Sequence, residues 1–101
     1  MGKTVSFEFN PGSMIQVALC EDNEFFRESL KQFIGDTPGY SVIASLSSAD
    51  EISEKIIAAV PDVILMDIDM PGMNGIEATS IVKSLFPQVH VLILTVYEDD
   101  D

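Results

Sequence analysis

The strongest constraint on this chain is a run of four residues, Val63-Ile64-Leu65-Met66, that is wholly apolar and is followed at once by an aspartate. A half-wet strand alternates polar and apolar side chains, whereas a continuous apolar run rich in branched residues fits a central strand covered on both faces. Sheets covered in this way are built from parallel strands, and parallel strands need crossovers, usually helical, between them. The surrounding sequence supplies those crossovers. From Met14 onward, apolar runs at 15–20, 40–46, 63–66 and 89–96 alternate with amphipathic stretches, which implies successive strand-helix-strand units in one α/β domain.

The first helix is expected at 23–34, where Phe25, Phe26, Leu30, Phe33 and Ile34 are spaced to form one face, and Gly35 with Thr37-Pro38-Gly39 stops it. Ser48, with Glu51 three residues on, resembles a capping box opening a second helix that runs to about Ala59. Pro71, Gly72, Asn74 and Gly75 read as loop, and a third helix at 76–86 follows from Ile76, Ala78, Ile81, Val82 and Leu85. Residues 1–13 have another character. Val5, Phe7 and Phe9 alternate with Ser6 and Glu8, and Asn10-Pro11-Gly12-Ser13 reads as a turn or linker. Residues 1–13 are therefore an N-terminal extension, either artificially appended or an added edge strand, and 14–101 are the domain.

Charge and composition exclude several functions. Seventeen acidic residues against five basic ones leave a net charge of -12, and binding to a phosphate backbone needs clustered Lys and Arg. Nucleic acid is not expected as a direct partner. No apolar run reaches the length that spans a bilayer, and 1–13 has no signal-peptide core, so a cytoplasmic protein without membrane contact is expected. Cys20 stands alone in an apolar run and is assigned to core packing rather than a disulfide or zinc site. His90 begins the fourth strand, far along it from the acidic residues discussed next, and no catalytic role is assigned to it.

Three carboxylates converge if the sheet is parallel. Glu21 and Asp22 follow the first strand, and Asp67 ends the third, which should lie beside the first; ligand sites of open α/β sheets form at these carboxyl ends. Two carboxylates about 4 Å apart repel by roughly 4 kcal/mol at an effective dielectric of 20, so three together call for a cation or for protonation. A set of oxygen ligands points to magnesium. A carboxylate beside bound magnesium can attack phosphorus, which would make an aspartyl phosphate at Asp67. Thr95, at the end of the fourth strand, has a hydroxyl able to contact that phosphoryl group and report its charge. Plainer roles stay open at this point: Asp67 as a turn or cap aspartate, Glu21-Asp22 as the N-cap of the first helix, and Thr95 as a strand residue.

The stretch from Val63 through Asp67-Ile68-Asp69-Met70-Pro71-Gly72-Met73-Asn74-Gly75 closely resembles the central signature of the receiver domains of two-component response regulators. Glu21-Asp22, then Arg27, Glu28 and Leu30, and finally Leu94-Thr95-Val96-Tyr97-Glu98-Asp99-Asp100 agree with that family in order and spacing. The resemblance implies a flavodoxin-like three-layer fold with a parallel sheet of order 2-1-3-4-5. It also implies phosphotransfer to Asp67 from the phosphohistidine of a sensor histidine kinase. Magnesium would be held by Asp22, Asp67 and the backbone carbonyl of Asp69, with Glu21 acting through bound water, and Thr95 would serve as phosphoryl contact and switch.

The chain departs from the family after the fourth strand, where a fourth helix, a fifth strand with its lysine, and a fifth helix are expected. Lys31, Lys55 and Lys83 fall on helices and do not replace that lysine, so phosphotransfer is expected to be impaired. DNA would be reached only through an output domain absent from this sequence. The fourth strand would present a bare apolar edge, to be covered by residues 5–9 or by a second copy in a homodimer or strand-exchanged oligomer. Two other readings compete. Asp67 and Asp69 imitate the nucleophile and acid of haloacid-dehalogenase-type phosphatases, and the chain would also suit an engineered α/β fragment serving as an assembly module.

Overall fold

The computed structural model describes residues 14–68, 70 and 72–94. Strand β1 (Ile15–Cys20) leads to helix α1 (Glu24–Gly35), then β2 (Tyr40–Leu46), a 3-10 turn (Ala49–Glu51) running into α2 (Ile52–Ala58), β3 (Val63–Asp67), α3 (Gly75–Leu85) and β4 (His90–Leu94). All strand pairs are parallel, in the order β2-β1-β3-β4. This is the α/β arrangement expected from the alternating pattern, and the order is the one the receiver resemblance implies through its fourth strand. The proposed strand at 5–9, together with Asp69, Pro71, Thr95 and the end of the fourth apolar run, lies outside the described residues.

One face of the sheet holds the core. Ala18 and Cys20 of β1, Leu46 of β2, and Ile64 and Met66 of β3 pack with Ala49, with Ile52 and Ile56 of α2, and with Ala78 and Val82 of α3. Each fully buried aliphatic side chain of this kind contributes about 1.5–3 kcal/mol, so this cluster is the main source of stability. It also explains why the run at 63–66 has no polar residue: Ile64 and Met66 face the core, while Val63 and Leu65 face the α1 side half-buried.

Helix α1 corrects the expected five-residue face. None of its residues is fully buried, and Phe25 and Phe33 are 82% and 71% exposed. The half-buried residues are Phe26, Leu30 and Ile34, together with Arg27. Phe26, Leu30 and Ile34 are spaced by four and form a single stripe; Phe25 and Phe33 each precede a stripe residue by one position, about 100° around the helix.

Two helix starts also differ from expectation. Asn74 is the N-cap of α3, its side chain accepting from Glu77 N at 2.9 Å, so the helix begins at Gly75 within the expected loop. Ser48 does cap, but it accepts from Asp50 N at 3.1 Å and donates to Asp50 Oδ2 at 3.2 Å, which tightens the first turn to 3-10 geometry. Lys83 donates to the carbonyls of Pro87 and Val89 at 3.0 and 2.7 Å, which holds the α3–β4 turn at the amino end of the sheet.

Candidate functional site

The parallel register fixes which side chains meet at the carboxyl end. Cys20 pairs with Met66, so the residues that follow them, Glu21 and Asp67, emerge side by side. Glu21 N donates to Leu46 O at 3.0 Å, which extends the β1–β2 ladder by one residue and turns the Glu21 side chain inward. Three further contacts fasten the loop. Asn23 N donates to Glu21 Oε2 at 3.0 Å, Asn23 Oδ1 accepts from Phe26 N at 2.9 Å, and Arg27 Nη1 donates to Glu21 O at 2.9 Å.

Glu21 and Asp67 are 3% and 5% exposed, while Asp22 faces solvent. One carboxylate oxygen from each of Glu21, Asp22 and Asp67 lies within 4.8 Å of the others. Glu21 Oε1 is buried with no hydrogen-bond donor at it. Burial holds the Glu21 carboxyl above the usual carboxylate range; the negative charges of Asp67 and Asp22 add to this, and the Asn23 N–H opposes it. Beneath the cluster, the Cys20 thiol is pushed up to about 12, first by burial and then by the charges of Asp67 and Glu21. An unsatisfied buried oxygen in a group of three carboxylates is what a hard divalent cation with oxygen preference would relieve. The residues present therefore fit the magnesium expected from the sequence.

The two capping alternatives fail here. The N-cap of α1 is Asn23, not Glu21 or Asp22, and the N-cap of α3 is Asn74, not Asp67. The structure thus brings together Glu21, Asp22 and Asp67 of the expected set, whereas Asp69 and Thr95 lie outside the described residues. His90 pairs with Val63 at the opposite end of the sheet, away from Asp67, which pairs with Leu94.

Sequence reading missed two supports of the site. Asn23 acts in both directions, capping α1 and holding Glu21, and its only signal was its place just before a helical pattern. Gly75 is the second. A Cβ there would lie 2.5 Å from Asp67 O and 2.7 Å from Ile68 Cα, far inside van der Waals contact, so only glycine lets α3 begin directly against the acidic residue.

Comparison with known proteins agrees with this geometry. Residues 17–101 match the family described as the response regulator receiver domain. The transcriptional regulatory protein DegU of Brevibacillus brevis is 37% identical over 86 residues, covering 85% of this chain and 36% of that protein. A two-component response regulator of the LuxR family from Aurantimonas sp. is similar in structure, with a TM-score of 0.79 at 31% identity over 85% of this chain and 61% of that one. The response regulator TrrA of Thermotoga maritima, solved in complex with Mg(2+)-BeF, gives a TM-score of 0.75 at 25% identity over 84% of this chain and 72% of that one. The chain spans little more than a third of the length of DegU.

Proposed function

Because this chain belongs to the response regulator receiver domain family, we propose that Asp67 is its phosphoacceptor and that a sensor histidine kinase in the cytoplasm supplies the phosphoryl group. The observation that carries the assignment is the meeting of Glu21, Asp22 and Asp67 within 4.8 Å, with one buried oxygen of Glu21 unsatisfied. Asp67 is the member of that set on the central strand, held from behind by the close approach of Gly75.

In this reading an Asp67 carboxylate oxygen attacks phosphorus in line, the phosphorus–nitrogen bond of a phosphohistidine breaks, and its electron pair leaves with the imidazole, which takes up a proton. Asp22, Asp67 and the Asp69 backbone carbonyl would hold magnesium, with Glu21 acting through bound water; when bound, the ion neutralises the carboxylates and the incoming phosphoryl oxygens. The Mg(2+)-BeF complex of TrrA supports that ion. Thr95 would contact the phosphoryl group, and its movement would carry the signal. The product is a signalling state rather than a released compound, so the domain acts once per phosphorylation and is not a turnover enzyme. The transcriptional role in the name of DegU belongs to that protein; here DNA would be reached only through a further output domain.

The test is intact mass after incubation with magnesium and acetyl phosphate, beside Asp67→Asn. A phosphoryl adduct that disappears in Asp67→Asn is expected. An adduct that persists in the variant would contradict the assignment; no adduct in either protein would mean that the chain keeps the receiver scaffold without its phosphotransfer competence.

A further inference from the structure

Glu21 and Asp22 lie in the loop between β1 and α1, and Arg27 reaches back to that loop from one turn into the helix. Its backbone N–H donates to Asn23 O at 2.8 Å, and its side chain folds back so that Nη1 donates to Glu21 O at 2.9 Å. Among the described residues Arg27 is the one half-buried cation. Lys31, Lys55 and Lys83 are exposed, and Lys83 is engaged with carbonyls at the amino end of the sheet. The charge of Arg27 is felt beneath the acidic cluster: burial and the charges of Asp67, Glu21 and Glu51 raise the Cys20 thiol, and Arg27 opposes them.

Helix α1 does not need the Arg27 side chain for its start, because Asn23 already caps it by accepting from Phe26 N at 2.9 Å. What the guanidinium holds is the peptide between Glu21 and Asp22. That unit is planar, so fixing its carbonyl also fixes the Asp22 N–H and the direction in which the chain enters Asp22. Glu21 N is held on Leu46 O at 3.0 Å, and Glu21 Oε2 accepts from Asn23 N at 3.0 Å. The Glu21 backbone is thus pinned at both ends and its side chain at one oxygen, which leaves Oε1 as the buried atom without a donor.

Resting on the reading of Glu21, Asp22 and Asp67 as a magnesium site, we infer that Arg27 is the positioning residue of that site. Its guanidinium holds the Glu21–Asp22 peptide so that the three carboxylates stand converged before the cation arrives. Arg27 is assigned no contact with the ion or the phosphoryl group; it acts through the loop, as outer contacts that orient metal ligands do. Its charge works the other way, since a positive charge beside a cation site repels the cation. Geometry and charge therefore predict opposite effects of removing it.

The test is calorimetric magnesium titration of the 101-residue chain as wild type, Arg27→Met, Arg27→Lys and Asp67→Asn, at a temperature where all are folded, beside amide hydrogen exchange without metal. Arg27→Met removes donor and charge together while keeping a long side chain. Its magnesium affinity is expected to fall about tenfold, with most of the affinity kept in Arg27→Lys, which retains a donor. Exchange of the Glu21 and Asn23 amides should quicken about tenfold in Arg27→Met, with that of Leu65 in β3 unchanged. Equal or tighter magnesium binding by Arg27→Met would overturn the proposal, because Arg27 would then act as a charge alone. So would exchange quickened throughout the chain, which marks a general loss of stability. Magnesium binding that survives Asp67→Asn would instead overturn the site reading itself, and the metal-free exchange data stand apart from that failure.

Discussion

The two ends of the same sheet treat their carboxylates in opposite ways. At the amino end, Asp62 Oδ2 accepts from Gln16 N at 2.7 Å, Asp62 N donates to Gln16 O at 2.8 Å, and Asp62 O accepts from His90 N at 3.1 Å. One residue ties three strands together, and its charge stays near water. At the carboxyl end, Glu21 and Asp67 are buried beside each other, and one Glu21 oxygen has no donor. A carboxylate that accepts a backbone N–H and stays near water stabilises a fold; buried ones that face each other cost free energy that a bound cation would offset. Asp62, just before β3, and Asp67, the proposed phosphoacceptor at its end, are thus distinguished by what surrounds them.

Substitutions at the two ends sharpen this contrast. The largest effect is expected for Gly75→Val, whose side chain would collide with the Asp67 and Ile68 backbone; a loss of about 2–4 kcal/mol in denaturant unfolding, with loss of phosphorylation, is expected. A neutral result would mean that α3 is free to shift away from Asp67. Next, Glu21→Gln should raise metal-free stability at neutral pH by about 1 kcal/mol, because the amide can donate toward Asp67 where the carboxylate repels it. The same variant should bind magnesium more weakly, by calorimetric titration. A destabilised Glu21→Gln would place Glu21 among the structural carboxylates with Asp62. Asp62→Ala should lose about 1 kcal/mol, from the Gln16 N–H contact, and leave magnesium binding unchanged.

The pH dependence follows from Glu21. Its folded-state pKa lies above its ordinary value of 4.5, so the folded protein holds this proton more tightly than the unfolded chain does. Its favourable contribution is fully present below 4.5 and is lost as pH rises through the elevated folded value. Subtracting the Glu21→Gln stability profile from that of the wild type isolates this term, and the difference should fall with rising pH across that window. The smallest effect concerns Cys20, buried with its thiol pushed up to about 12. It should resist alkylation at pH 8 until the protein unfolds.

Much of the fold was readable because one signal repeats: apolar runs bounded by Gly and Pro, with the unbroken Val63–Met66 run marking the central strand. The site was readable because parallel topology turns two separate acidic positions, Glu21-Asp22 and Asp67, into neighbours. Apolar periodicity says nothing about polar caps, so Asn74 and Gly75 passed as loop although one caps α3 and the other begins it. The need for glycine at 75 arises from a tertiary approach to Asp67 that no local pattern encodes. Phe25 and Phe33 share the expected apolar face yet are exposed, because hydrophobicity alone does not tell a stripe residue from its neighbour.

The most direct test of the central claim is thermal unfolding with and without millimolar magnesium, in the wild type and in Asp67→Asn and Asp62→Ala. If the carboxyl-end cluster is a cation site held at a cost to the fold, magnesium will raise the midpoint of the wild type and of Asp62→Ala and do so far less in Asp67→Asn. An equal rise in all three proteins, or none in the wild type, would contradict it.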